Sequence, residues 1–202
     1  MFLNDHVKAV LRGYPTDGSH PYYWPEGAAF DGVTRELFYK GRSIAHPDEQ
    51  KRTYCCGLTF EVWLTAISMW AGEEGKAPLD LHFDAGEMVK IKAEWFVATG
   101  GRGGPVDALV KRGLAIQIEK VEEAREGDFV QLWRKSGSGH SVIFLERKIQ
   151  DDMVIGFKYW STQKSTNGIG ERTETFHGVN PVLRDQLFIA RAMSPAEKLP
   201  TV

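Results

Sequence analysis

The sequence lacks a long apolar run, an excess of either charge, and cysteines spaced for metal binding. No run approaches the roughly 18 apolar residues that a membrane-spanning helix needs, so no transmembrane segment is predicted. Lys and Arg number 25 against 27 Asp and Glu, a net charge of −2, which does not favour a nucleic-acid partner. The two cysteines, Cys55 and Cys56, are adjacent, which disfavours a structural disulfide. No metal or cofactor is predicted.

The first residues also contain no apolar stretch of the length that a secretory signal needs. A cytosolic protein is therefore expected, or one exported by a route without such a signal, unless a signal has been removed. Apolar residues make up 42% of the chain and charged residues 26%, a balance that excludes a wholly disordered protein. A length of 202 residues fits one domain.

The regular structure predicted for the first half of the chain is helical. Residues 1–50 are predicted to form an N-terminal arm that is mostly loop after a short helix at 4–12. Residues 55–71 carry apolar side chains nearly all round the helix, which is typical of a buried central helix. Two further helices are predicted at 84–98 and 105–113.

Short runs rich in β-branched and aromatic residues follow from about residue 114, and turn residues separate them. They are Ala115–Val121, Phe129–Arg134, Ser141–Leu145, Val154–Trp160, Arg172–Phe176 and Gln186–Ala190. This pattern predicts a meander of antiparallel strands. Helices followed by strands indicate an α+β fold, with the buried helix packed on the sheet. The last residues, 194–202, are predicted to be a tail.

Cys55 lies at the predicted start of the buried helix. Unpaired N–H groups and the positive end of the helix dipole stabilise a thiolate there, so Cys55 is a candidate nucleophile. The same N–H groups can stabilise an oxyanion. Gly57 leaves room for another backbone to come close.

His140 is the candidate general base, because it opens a predicted strand directly after the small SGSG turn. An imidazole in that role needs a polar partner that orients it. Side-chain alternation in the next strand places Ser161 and Gln163 on one face, and Gln163 has both the reach and a carbonyl acceptor. Ser161 and Asn167 remain alternatives for the third residue, and His177 remains an alternative base.

Three segments, residues 55–59 (CCGLT), 126–130 (EGDFV) and 139–143 (GHSVI), resemble the NlpC-type and CHAP cell-wall cysteine peptidases and occur in the order of that family. The resemblance implies a papain-like catalytic domain over residues 51–193, with the helices at about 84–113 as an insertion. It implies Cys55 as nucleophile, His140 as base and Gln163 as the third polar residue.

The resulting hypothesis is a cysteine hydrolase that cleaves amide bonds in peptidoglycan peptides, as an endopeptidase or an amidase. Aromatic residues are predicted to bind the substrate: Tyr22, Trp24, Tyr54, Trp133 and Trp160. One alternative is the same fold acting on another amide or thioester, as a toxin or effector with an immunity or inhibitor protein, a deamidase or a lipid acyltransferase. A second alternative is a non-catalytic binding module.

Overall fold

The computed structural model describes residues 1–25, 27 and 30–195. The helices are α1 (Asn4–Leu11), α2 (Cys55–Glu73), α3 (Ala85–Trp95) and α4 (Pro105–Leu109). The strands are β1 (Leu37–Tyr39), β2 (Arg42–Ala45), β3 (Ala115–Ile118), β4 (Phe129–Arg134), β5 (Gly139–Gln150), β6 (Met153–Gln163), β7 (Gly168–Thr175) and β8 (Val182–Ala192).

Strands β3 to β8 form one six-stranded sheet in the order β3-β8-β4-β5-β6-β7. Every neighbouring pair in it is antiparallel. Consecutive strands β4 to β7 lie side by side, and β8 returns to fill the place between β3 and β4. The predicted α+β class with an antiparallel sheet is confirmed.

Helix α2 is apolar nearly all round because it has neighbours on several sides. One side packs on the sheet, where Ile143 and Trp160 join its core, and α1 and α3 cover other parts of it. Phe60 and Trp63 on α2 are fully buried, and both pack against Trp95 of α3. Strands β5 and β6 are therefore the part of the sheet against which α2 packs.

A second, smaller core covers the opposite face of the sheet. Its members alternate with those that face α2: Val142 and Phe144 of β5 lie in this second core, whereas Ile143 lies in the first. Alternating side chains along a strand point to opposite faces, so both faces of β5 are buried near its start. His140 shares its face with Val142.

The arm is more ordered than the sequence predicts. It contains α1 and also the hairpin β1–β2, which the prediction of a mostly loop segment misses. These strands have only three and four residues, and their register shifts between Leu37 and Phe38, so no clean alternation marks them. The arm is tied to β8, where the Leu3 N–H donates to the Ala192 carbonyl at 3.0 Å.

Strands β5 and β6 have 12 and 11 residues, longer than predicted. The extra length of β5 is mainly the exposed, charged segment 146–150, which no alternating β-strand pattern marks. The extra residues of β6 are mainly 161–163, which are buried at the end away from the β5–β6 turn. The helices at 84–98 and 105–113 are observed as α3, α4 and a short 3₁₀ turn. Of the predicted tail at 194–202, residues 196–202 lie outside the described residues. Within the described residues, no helix combines the length and apolar character needed to cross a membrane.

Candidate functional site

Cys55 is the first residue of α2, and its thiol faces a cavity. The preceding residue, Tyr54, is in an extended conformation, and no side chain caps the helix. The first backbone N–H groups of any α-helix have no intrahelical carbonyl partner, and at α2 these groups belong to the residues around Cys55. A negative charge on a sulfur or an oxygen is stabilised at such a position.

The start of α2 is set by close backbone packing at Gly57. A Cβ there would lie 1.8 Å from the Asp31 carbonyl oxygen, so no other residue fits without moving the chain. Gly32 allows a similar close approach to Tyr54, because a Cβ at Gly32 would lie 2.5 Å from the Tyr54 ring. The room that Gly57 provides is thus filled by the loop at residues 31–32.

His140 lies near the start of β5, and its ring is held from two sides. The Tyr159 ring packs edge-on against it at 5.6 Å, and the Tyr159 hydroxyl in turn donates to Glu174 at 2.6 Å. On the other side, His140 Nε2 lies 3.2 Å from Gln163 Oε1. Gln163 Nε2 donates to Thr166 Oγ1 at 2.6 Å, so Gln163 presents its carbonyl to the ring. In the neutral ring this contact assigns the proton to His140 Nε2, which leaves Nδ1 as the nitrogen available to accept a proton.

The pKa of the Cys55 thiol is held well below its ordinary value. The largest cause is a hydrogen bond from the Cys56 thiol, and the charge and hydrogen bond of His140 and the Ser141 backbone N–H lower the pKa further. Burial opposes these effects without overcoming them. The pKa of Cys56 is raised, mainly by burial and then by its contact with Cys55. Cys55 is thus the thiol that ionises first.

A buried hydroxyl network joins α2 to the strand that carries His140. Thr59, one turn after Cys55, has its Oγ1 2.8 Å from Ser141 Oγ and donates to the Cys55 carbonyl at 2.9 Å. The Trp95 indole N–H donates to the same Thr59 oxygen at 3.0 Å. Helix α3 therefore contributes to fixing the distance between the nucleophile helix and His140, although it lies in the segment that the resemblance treats as an insertion.

Replacing Thr59 with valine should loosen this connection while it keeps the side-chain shape. The change leaves the Trp95 N–H and the Ser141 hydroxyl without a partner, and we expect a destabilisation of about 1–3 kcal/mol. Iodoacetamide labelling of Cys55 at pH 6 should also slow, because the His140 strand is less firmly held. Thermal unfolding and the labelling rate measure the two effects. Ser68→Ala, which removes a hydroxyl bonded to the Leu64 carbonyl further along α2, is the control. Unchanged labelling in folded Thr59→Val would contradict the positioning role.

The cavity over Cys55 and His140 has a volume of about 370 Å³. Its walls come from three separate parts of the chain: Tyr22 and Trp24 of the arm, Phe96 and Val97 after α3, and Trp133 of β4. Burial, followed by the nearby Cys55 thiol, raises the pKa of Tyr22 to about 12, so Tyr22 is a neutral hydrogen-bond donor at neutral pH. The site is a small cavity with aromatic walls, in which a thiol, an imidazole and the polar side chains of Gln131 and Ser141 also line the surface.

Two of the predicted substrate-binding residues lie elsewhere. Trp160 faces α2 rather than the cavity, and its ring packs on Tyr14 at 5.2 Å along a different groove. The expectation that Trp160 lines the cleft is corrected, because strand alternation puts it on the face opposite Gln163. Tyr54 is buried, and its hydroxyl donates a hydrogen bond to the Phe30 carbonyl at 2.8 Å. Its ring packs edge-on against Trp24 at 5.1 Å. It shapes the wall without lining the cavity.

The alternative site residues occupy other places. Ser161 donates to the Ser141 carbonyl at 2.8 Å, a contact within the sheet. Asn167 ends the turn after β6 in a left-handed conformation, with φ of 51°. His177 lies exposed between β7 and β8 and does not line the cavity. Of the residues considered, Cys55, His140 and Gln163 are the ones that the structure brings together.

Sequence reasoning missed Gln131, Phe96 and Val97, which also line the cavity. Gln131 is buried on β4 directly opposite Ser141, and only the strand register reveals this. Phe96 and Val97 follow the end of α3. The sequence signal for them is an apolar pair shortly before the glycine-rich segment 100–104. Among the described residues, no group of three His, Cys, Asp or Glu side chains is arranged to hold a metal ion.

Comparison of the chain with models of protein families, with curated proteins and with solved structures finds no match in any of the three.

Proposed function

We propose that this protein is a cysteine hydrolase of papain-like architecture that cleaves amide bonds, with Cys55 as nucleophile and His140 as general base. The observation that carries the proposal is the arrangement at the base of the cavity. A thiol of lowered pKa lies at an uncapped helix start beside His140, and that imidazole is oriented by Gln163 at 3.2 Å. Covalent catalysis of acyl transfer requires a nucleophile, a base next to it and a third group that orients the base.

In the first half of the reaction, His140 Nδ1 holds the thiol proton, and the Cys55 thiolate attacks the amide carbonyl carbon. The new C–S bond forms as the carbonyl electrons move to oxygen. N–H groups of the first turn of α2 are the donors for this oxyanion. The C–N bond then breaks, and the amine leaves with the proton from His140.

In the second half, water adds to the thioester. His140 takes a proton from the water as its oxygen attacks the carbonyl carbon. Collapse of this intermediate breaks the C–S bond, releases the carboxylic acid and returns Cys55 to the thiolate. Gln163 Oε1 accepts a hydrogen bond from His140 Nε2–H throughout, so its contribution is orientation of the ring rather than stabilisation by charge.

Gln163→Ala should lower turnover by about 10- to 1000-fold with the fold retained, because the His140 ring loses its orienting acceptor. Gln163→Glu keeps an acceptor at the same position and should retain more activity than the alanine variant. Steady-state turnover and a thermal unfolding curve for each variant check this expectation. Full activity in Gln163→Ala would remove Gln163 from the catalytic group and leave the Cys55–His140 pair in place.

Peptide bonds of peptidoglycan are the proposed substrate. The resemblance of residues 55–59, 126–130 and 139–143 to cell-wall peptidases supports this choice, as does a cavity large enough for a short peptide segment. The test is mass spectrometry of muropeptides after incubation with the wild-type protein and with Cys55→Ala. New fragments that appear only with the wild-type protein are the expected result, and their masses identify the bond that is cut.

Absence of new fragments, together with rapid labelling of Cys55 near neutral pH, would reject the wall substrate but not the hydrolase. The protein would then act on another amide or thioester. A Cys55 that labels only above pH 8 would reject the activated thiolate itself and favour a binding module.

A further inference from the structure

Val97 has a backbone conformation that disfavours its side chain. Its φ is 58°, in the left-handed region, where a β-branched residue is an outlier. The reason lies in how α3 ends. The Val97 N–H donates to the Glu94 carbonyl at 3.0 Å, and the Ala98 N–H donates to the Ala93 carbonyl at 2.9 Å. This pair of bonds is the helix ending that normally places glycine at the position Val97 occupies.

The segment is not short of glycine, since Gly100, Gly101, Gly103 and Gly104 follow within a few residues. Nor does Val97 serve the core: its side chain is only half-buried and is not part of either core cluster, whereas Trp95 two residues earlier is fully buried. Val97 does line the cavity that holds Cys55 and His140. A strained residue that does not support the core but lines a reactive site points to a contact with ligand.

We propose that Val97 is a specificity-determining residue, and that with Phe96 it forms the wall that receives an apolar group next to the scissile bond. This rests on the proposed function, because it takes Cys55 as the reacting atom. The chemistry of the cavity agrees with such a group. Among its described lining residues there is no carboxylate, lysine or arginine, and three of them, Tyr22, Trp24 and Trp133, are further aromatic residues. A charged side chain of a substrate would therefore find no carboxylate, lysine or arginine among these residues to pair with.

The test uses two alkylating reagents that differ only in an apolar group, iodoacetamide and N-benzyl-iodoacetamide, at pH 6.5. The ratio of their second-order rate constants with Cys55 reports the wall independently of any natural substrate. In Val97→Gly and in Val97→Asn, both compatible with the left-handed backbone, the benzyl-to-parent ratio should fall by about 3- to 10-fold from the wild-type value. Asp152→Gly, which changes a left-handed residue in the exposed β5–β6 turn, should leave the ratio as it is.

The outcomes separate the two claims. A Cys55 that reacts rapidly with both reagents at an unchanged ratio in both Val97 variants overturns this inference and leaves the hydrolase proposal in place. A Cys55 in the wild-type protein that is inert to both reagents overturns the proposed function, and the inference with it. The midpoint of thermal unfolding gives a second reading. Val97→Gly should be at least as stable as the wild-type protein, since it removes the backbone strain; a clear loss of stability would mean that the side chain supports the fold, and would also overturn the inference.

Discussion

Cys55→Ser should reduce amide hydrolysis by about 10⁴-fold or more, the scale on which loss of a catalytic nucleophile is felt. A serine hydroxyl at the start of α2 keeps the size of the thiol but does not ionise near neutral pH, so the attacking anion is lost. The pKa of Cys55 is lowered by Cys56, His140 and the Ser141 N–H, and each of these acts on the sulfur at this one position. Turnover of the substrate identified by the muropeptide experiment measures the effect.

Cys56 provides the matched control, because it is the neighbouring buried thiol. Cys56→Ser keeps a hydrogen-bond donor towards Cys55 and should remain folded and active. Cys56→Ala removes that donor, so the pKa of Cys55 should rise and labelling at pH 6 should slow. Turnover that survives in Cys55→Ser and disappears in Cys56→Ser would transfer the nucleophile to Cys56 and overturn the assignment.

His140→Ala should also reduce turnover by about 10⁴-fold, since it removes both the proton acceptor and the donor for the leaving amine. Its effect on the thiol is separable from turnover. The imidazole lowers the pKa of Cys55, so its loss raises that pKa and lowers the thiolate fraction on the acid side. Each unit by which the pKa rises reduces the thiolate about tenfold at a pH below it.

Iodoacetamide labelling as a function of pH tests this sign directly. In the wild-type protein the rate should fall less between pH 8 and pH 6 than it does for an ordinary thiol, because the pKa of Cys55 is lowered. In His140→Ala the rate at pH 6 should be small and should climb steeply with pH. His177→Ala, which changes an exposed histidine away from the cavity, should follow the wild-type curve. Equal curves for the wild-type protein and His140→Ala would mean that His140 does not activate the thiol.

Much of the architecture follows from local patterns in the sequence. Helix α2 was predictable because its apolar positions surround the helix, and only a buried central helix satisfies them. Strand β4 has the predicted bounds, Phe129–Arg134, because β-branched and aromatic residues between turn signals mark a strand without reference to anything distant. The hairpin β1–β2 was not predicted, because strands of three and four residues are too short to show a clear alternation of apolar and polar residues.

The proximity of His140 and Gln163 was also within reach of the sequence. A short turn between two strands enforces antiparallel pairing, and alternation then places Ser161 and Gln163 on one face. Alternation also places Trp160 on the opposite face from Gln163. The sequence does not say which of the two faces packs on α2, so it could not exclude Trp160 from the cleft. Alternation assigns side chains to two faces, but only the position of the helix decides which face is which.

What the sequence by itself determined is therefore the helices and the strands of the large sheet, but not the hairpin β1–β2, together with the candidate residues Cys55, His140 and Gln163. The tertiary structure alone decided how they are enclosed. Thr59 meets Ser141 across 82 positions of sequence, and the cavity walls are drawn from the arm, from α3 and from β4. Such contacts depend on the packing of whole elements, and no local pattern encodes them. Val97 is the clearest case, because its left-handed backbone angle is imposed only by the folded end of α3.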